Sequence, residues 1–142
     1  PEYDREITSR LGKIAGCDCI GVLSCVIDSL NRRNAKRIAV LTPYIDDLNR
    51  TIQSSLEQTG FKVVQINGMG IEVNFELAQV QPDEIVNFAK ENLTGIMADA
   101  LFISCTNYRA LEVQKSLEKE LSIPVVTSNL AVLEGIEKYF VS

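Results

Sequence analysis

The sequence predicts an α/β fold on a mostly parallel sheet, and three observations carry that expectation. Segments with apolar residues at helical spacing alternate with short apolar runs along nearly the whole chain. The runs, Arg37–Thr42 and Ala98–Ile103 among them, are apolar almost without interruption, as in strands covered by helices on both faces. Proline and glycine fall where such elements begin and end, with Gly60 stopping one helix and Pro82 opening another.

Taken in order, Tyr3–Ala15 reads as a helix with Ile7, Leu11 and Ile14 on one face. Asp18–Leu23 reads as a short strand, and Ser24 as the cap of a helix running to about Arg33. Arg37–Thr42 is the next strand, ending at Pro43-Tyr44. A helix from Asp46 to Gln58 carries Leu48, Ile52 and Leu56, and Phe61–Ile66 follows as a strand. Residues 67–81 form the one long irregular segment, of the kind that is often functional in a compact α/β domain. Ile85, Val86, Ala89 and Leu93 then mark a helix. The strand ending at Ile103, a helix Tyr108–Leu121, a strand Ile123–Thr127 and a helix from Asn129 complete the pattern. A weak repeat relates Glu6–Leu30 to Glu112–Ile136, each read as helix, short strand, serine and helix, with Ser24 and Ser128 as matching N-caps. The second copy is preceded by the strand ending at Ile103. The first has no such strand before it, and the chain opens on Pro1, so an N-terminal portion is expected to be missing.

Composition narrows the chemistry. The 142 residues suffice for one domain with a real core, since 46% are hydrophobic. A net charge of −5 without a basic cluster beyond Arg32-Arg33 and Lys36-Arg37 speaks against a nucleic-acid partner. No apolar run reaches membrane-spanning length and the opening residues do not read as a secretory leader, so the expectation is no membrane partner and a cytoplasmic protein. Four cysteines in a loop-poor chain do not form a disulfide framework. There is no histidine, which removes the commonest general base and metal ligand, and Cys17-x-Cys19 is not a zinc spacing. No metal is expected.

Cys105 is the leading candidate for chemistry. It lies where a parallel strand hands over to a helix, the place where open α/β sheets hold ligands and where helix N–H groups attract anions. The competing reading is a small buried core residue. Thr106 and Asn107 follow it and are candidates to line an anion site, Asn107 otherwise serving as a helix cap. Tyr44 directly follows a strand, with Pro43 fixing its approach, and otherwise is a packed surface tyrosine. Asn74 lies in the long loop, where asparagines commonly serve turns. Thr42, Thr127 and Asn129 are weaker candidates to face a cleft, Cys25 is a poor replacement thiol, and Cys17 and Cys19 read as structural.

Three blocks carry a resemblance: Ile-Ala-Val-Leu-Thr-Pro-Tyr44-Ile-Asp-Asp-Leu-Asn, Phe-Ile-Ser-Cys105-Thr-Asn107 and Leu-Ser-Ile-Pro-Val-Val-Thr-Ser-Asn129. Together they resemble maleate cis-trans isomerases, which with arylmalonate decarboxylases belong to the aspartate/glutamate racemase superfamily. The resemblance implies flavodoxin-like α/β halves, pseudo-symmetric in the intact protein, with the active site between them. On that reading 1–36 is a remnant of the first half, 37–127 the second half carrying Cys105, and 128–142 a C-terminal helix returning to the first half. It implies cofactor-independent isomerisation of a small dicarboxylate of the maleate type. A first-half cysteine adds to the alkene, and Cys105 supplies or removes the proton at the neighbouring carbon. Tyr44, Asn74, Thr106 and Asn107 would bind the substrate. The first-half cysteine and a carboxylate-binding asparagine near the family's N-terminus have no counterpart here, so the chain alone is expected to be inactive. A homo-oligomer is expected. The rival readings are a decarboxylase of disubstituted malonates, an amino-acid or hydantoin racemase, and a non-catalytic carboxylate-binding module.

Overall fold

A computed structural model describes residues 2–140. The elements in order are α1 (Glu2–Ala15), α2 (Val22–Arg32), β1 (Arg37–Thr42), α3 (Asp46–Glu57), β2 (Lys62–Gly68), α4 (Asn74–Leu77), α5 (Pro82–Leu93), β3 (Ala100–Ile103), α6 (Ala110–Leu121), β4 (Val125–Thr127) and α7 (Ser128–Glu137). The four strands form one parallel sheet in the order β2-β1-β3-β4, as the alternating pattern predicts.

Alternation along each central strand explains why the runs are apolar throughout. Ala39, Leu41, Leu101, Ile103 and Val125 face α5 and α6, packing on Ile85, Ala89, Val113 and Leu117. Ile38, Val40, Ala100, Phe102 and Val126 face the other way and pack on Val26, Leu30, Leu56 and Ala131 of α2, α3 and α7. Each strand residue therefore leaves water whichever way it points, which is the largest favourable term in folding. At the amino end of β1, the Asp99 carboxylate accepts hydrogen bonds from the Lys36 and Arg37 N–H groups (2.9 and 2.7 Å). Pro82 opens α5 behind a capping box in which the Glu84 carboxylate accepts from the Gln81 N–H at 2.8 Å. No helix among the described residues is long and apolar enough to cross a membrane.

Five local expectations are corrected. Asp18–Leu23 is not a strand: residues 16–21 are turn and coil, and Val22-Leu23 already belong to α2. With no strand beside it among the described residues, this backbone turns into helix, the Cys25 N–H donating to the Gly21 carbonyl at 3.0 Å. Ser24 is accordingly not a cap; it sits inside α2 and its hydroxyl donates to the Asp4 carboxylate at 2.5 Å. Ser128 is not the cap of the last helix either, since Thr127 is the N-cap and its hydroxyl accepts from the Leu130 N–H. The proposed repeat thus fails at its strand, because Val22-Leu23-Ser24 is helical whereas Val126-Thr127 closes β4. Finally, the irregular segment is shorter than expected, with β2 running to Gly68 and α4 interrupting the rest.

α1 stands apart, with no buried residue and with Leu11 and Ile14 exposed. Its tie to the domain runs through Asp4. A Cβ on Gly21 would lie 2.3 Å from the Asp4 carboxylate, so a larger residue there would make that side chain shift. α7 lies against α2, and its Glu134 carboxylate accepts from the Ser29 hydroxyl (2.6 Å), Arg33 (2.7 Å) and Arg32.

Candidate active site

The strand order creates a crevice. From β1 the chain passes through α3 to β2 on one side; from β3 it passes through α6 to β4 on the other. The loops leaving the adjacent ends of β1 and β3 therefore diverge, which is where open α/β sheets bind ligands. Leu41 pairs with Ile103 across these strands, so Tyr44 and Cys105 follow just beyond one registered pair.

The β1 side is held by buried polar contacts. The Thr42 hydroxyl donates to the Asn49 side-chain oxygen (2.5 Å) and accepts from the Tyr44 N–H (3.1 Å), with both Thr42 and Asn49 buried. The end of β2 then runs alongside. The N–H groups of Met69, Gly70 and Ile71 donate to the carbonyls of Thr42, Tyr44 and Pro43 at 3.0, 3.1 and 2.9 Å. This approach requires Gly68, where a Cβ would sit 2.1 Å from the Tyr44 carbonyl oxygen and 2.3 Å from the Asn49 amide nitrogen.

On the β3 side the Ser104 N–H donates to the Leu41 carbonyl at 2.9 Å, and the chain then turns sharply. Cys105 has φ +111°, in the left-handed region that favours glycine. Its N–H donates to the Ser128 hydroxyl at 3.1 Å, and the Asn107 N–H donates to its thiol at 3.3 Å. The residue is 7% exposed and packs with Tyr44, Met69 and Tyr108. Burial, and after it the neighbouring Cys105, pushes the Tyr44 phenol well above its ordinary range, with Ser104 acting in the opposite direction. Burial, then the charge of Cys105 and Glu84, does the same for Tyr108, whose hydroxyl donates to the Met69 sulfur at 3.0 Å. Two neutral phenols thus flank one thiol, and Tyr44 stays a hydrogen-bond donor across the physiological range.

The remaining candidates meet at the same turn. Thr106 and Asn107 lie exposed at its crest, and the Asn107 amide donates to the Asn74 backbone carbonyl at 3.2 Å. Asn74 is exposed at the start of α4, so Cys105, Tyr44, Thr106, Asn107 and Asn74 form one connected group. Asn107 does not cap a helix: α6 begins at Ala110 with Arg109 as its N-cap. Thr106 lends its carbonyl to the Asn129 amide at 3.1 Å. Cys25 lies elsewhere, between α2 and α7, where a Cβ on Gly135 would stand 2.7 Å from its sulfur; burial, then the charge of Asp28, pushes its thiol up. Among the described residues no group of three or more acidic or cysteine side chains could hold a metal ion.

The sequence alone assigns no role to Ser104, Tyr108 or Asn49. Tyr108 resembles any helix-flanking tyrosine until the turn folds it over Met69, and the Thr42–Asn49 pair needs the fold to bring a strand end to a helix. A cavity of about 330 Å³ opens beside Ser104 and Ser128, walled by Val22, Val26, Ile52 and Phe102. Another of about 340 Å³ lies among Leu93, Ile96 and Ile123, away from the thiol.

The arylmalonate decarboxylase family profile matches residues 1–138. Arylmalonate decarboxylase of Bordetella bronchiseptica is 23% identical over 130 residues, which are 91% of this chain and 54% of that protein. Maleate isomerase of Geobacillus stearothermophilus is 24% identical over 144 residues, 97% of this chain and 57% of its own length. Among solved structures, a maleate isomerase of Pseudomonas putida S16 superposes with a TM-score of 0.90 at 22% identity, covering 97% of this chain and 58% of that one. A maleate cis-trans isomerase of Nocardia farcinica, solved with a covalently bound succinylcysteine intermediate, gives a TM-score of 0.86 at 20% identity, over 95% and 57% of the two chains. The chain spans about half the length of these relatives. By its profile match over nearly the whole chain, it belongs to the arylmalonate decarboxylase and maleate isomerase family of the aspartate/glutamate racemase superfamily.

Proposed function

We propose that the chain carries one half of the active site of an enzyme that interconverts the cis and trans forms of a small dicarboxylate of the maleate type. The observation behind this reading is the Cys105 thiol at the β1/β3 crevice, beside a Tyr44 phenol held neutral. In the reaction a thiolate adds to one alkene carbon while Cys105 delivers its proton to the other. The former double bond is then single and rotates. Cys105 takes the same proton back, the C–S bond breaks, and the trans alkene leaves with no net gain or loss of atoms. No cofactor takes part. Tyr44 donates a hydrogen bond to a substrate carboxylate. The turn of Thr106 and Asn107, at the positive end of α6, neutralises part of its charge. The adding thiolate comes from a cysteine outside this chain's site, because Cys17, Cys19 and Cys25 lie elsewhere. A relative of the same family was solved with a succinylcysteine intermediate, which accords with such an addition.

One observation favours a second reading: among the described residues a single thiol stands at the site. Decarboxylation of a substituted malonate needs only one, to protonate the carbanion left when carbon dioxide departs. Both are tested with the protein as its own cell makes it, following maleate to fumarate and carbon dioxide from phenylmalonate. Turnover of maleate that disappears in Cys105→Ala supports the isomerase; turnover of phenylmalonate alone supports the decarboxylase. Ligand-dependent thermal stabilisation by both acids without turnover of either would replace both with a binding role.

A further inference from the structure

We infer that Ser128 is a positioning residue for Cys105, and that the first turn of α7 is a clamp that sets the thiol. The inference rests on the reading of Cys105 as the acting thiol. Cys105 adopts φ +111°, which a non-glycine residue holds only when its surroundings over-determine it. Two successive residues of α7 provide that constraint. Ser128, 2% exposed, accepts the Cys105 N–H at 3.1 Å, and Asn129 donates its amide to the Thr106 carbonyl at 3.1 Å. The peptide group on either side of the Cys105–Thr106 pair is thereby fixed from one helix.

Both side chains are free for this because the capping duty falls on Thr127, whose hydroxyl accepts from Leu130. A serine that merely began a helix would use its oxygen on that helix's own N–H groups. Ser128 instead spends its acceptor 23 residues away, on the turn that carries the thiol. The clamp also decides which donors face a substrate. The Cys105 N–H is taken by Ser128 and the Asn107 N–H by the thiol, which leaves the Thr106 N–H as the one of the three without a partner among the described residues. The groups that face the thiol are Tyr44 from the β1 side and Tyr108 from the α6 side, and neither depends on Ser128.

The test has two readouts. In this chain, amide hydrogen exchange at Cys105 should be about 10-fold faster in Ser128→Ala, as for the loss of one hydrogen bond, with Leu101 and Phe102 unchanged. In the protein as its own cell makes it, Ser128→Ala should lower kcat by about 10- to 100-fold, the scale of a small misplacement of a reacting group, with KM within about 2-fold. Ser128→Thr, which keeps the hydroxyl, should restore most of that loss. Asn129→Ala, less buried than Ser128 and safer for folding, should show the same pattern more weakly. Unchanged exchange at Cys105 in Ser128→Ala overturns the clamp, and so does unchanged kcat where Cys105→Ala is dead. Turnover that survives in Cys105→Ala would instead sink the functional reading, and the exchange result would still decide whether the clamp exists.

Discussion

Glu134 offers the most quantitative test of how α7 is held. Its carboxylate is 20% exposed and receives Arg33 at 2.7 Å and the Ser29 hydroxyl at 2.6 Å, with Arg32 as a third donor. Burial on its own would raise its pKa, but the hydrogen bonds from Arg33, Ser29 and Arg32 outweigh it and hold the carboxyl at about 2 instead of 4.5. A group depressed this far contributes about 3 kcal/mol at neutral pH. The contribution is complete above pH 4.5 and fades as the pH falls towards 2, because the unfolded chain then binds the proton first. Glu134→Gln removes the charge with little change of shape. Urea unfolding at pH 7 should show the variant less stable by about 3 kcal/mol, with an unchanged denaturant slope. At pH 3 the gap should shrink to about 1 kcal/mol, since the unfolded chain's carboxyl is then largely protonated while the native one is still mostly ionised. A gap below about 1 kcal/mol at pH 7, or one that stays the same at pH 3, would refute this account of the cluster.

Three further expectations concern the site. Cys105→Ala should lower turnover by at least about 100-fold, the usual minimum for losing an acid–base group, while its unfolding midpoint stays close to that of the parent. Tyr44→Phe deletes the hydroxyl proposed to donate to a substrate carboxylate and should lower kcat/KM by about 10- to 100-fold, read from steady-state kinetics on maleate. Gly68→Ala should destabilise the chain by about 1–3 kcal/mol in urea unfolding, because its Cβ displaces the Tyr44 carbonyl and the Asn49 amide, and turnover should fall with it.

The parallel sheet was legible because β1 and β3 are buried on both faces, which forces uninterrupted apolar runs. The misread strand at Asp18–Leu23 shows the limit of that signal. Val22-Leu23 fits a short strand or a helix start equally well, and what decides is that no strand lies beside it among the described residues. The site divides along similar lines. Cys105 and Tyr44 were visible because each follows a strand in sequence, and the parallel register carries that position into space. Ser128 reads as a cap in the sequence, since its partner is 23 residues away and the local pattern offers it only its own helix. Tyr108 and Asn49 depend on how two loops fold over each other, which no spacing along the chain encodes.

The left-handed backbone at Cys105 sets folding and reactivity against each other at a single position. Glycine would adopt φ +111° there freely, whereas a thiol-bearing residue is held against the preference of its own backbone. Any selection for hardier variants that scores heat resistance alone would therefore be drawn towards glycine at 105, and would discard in the same step the thiol on which the proposed proton transfer rests.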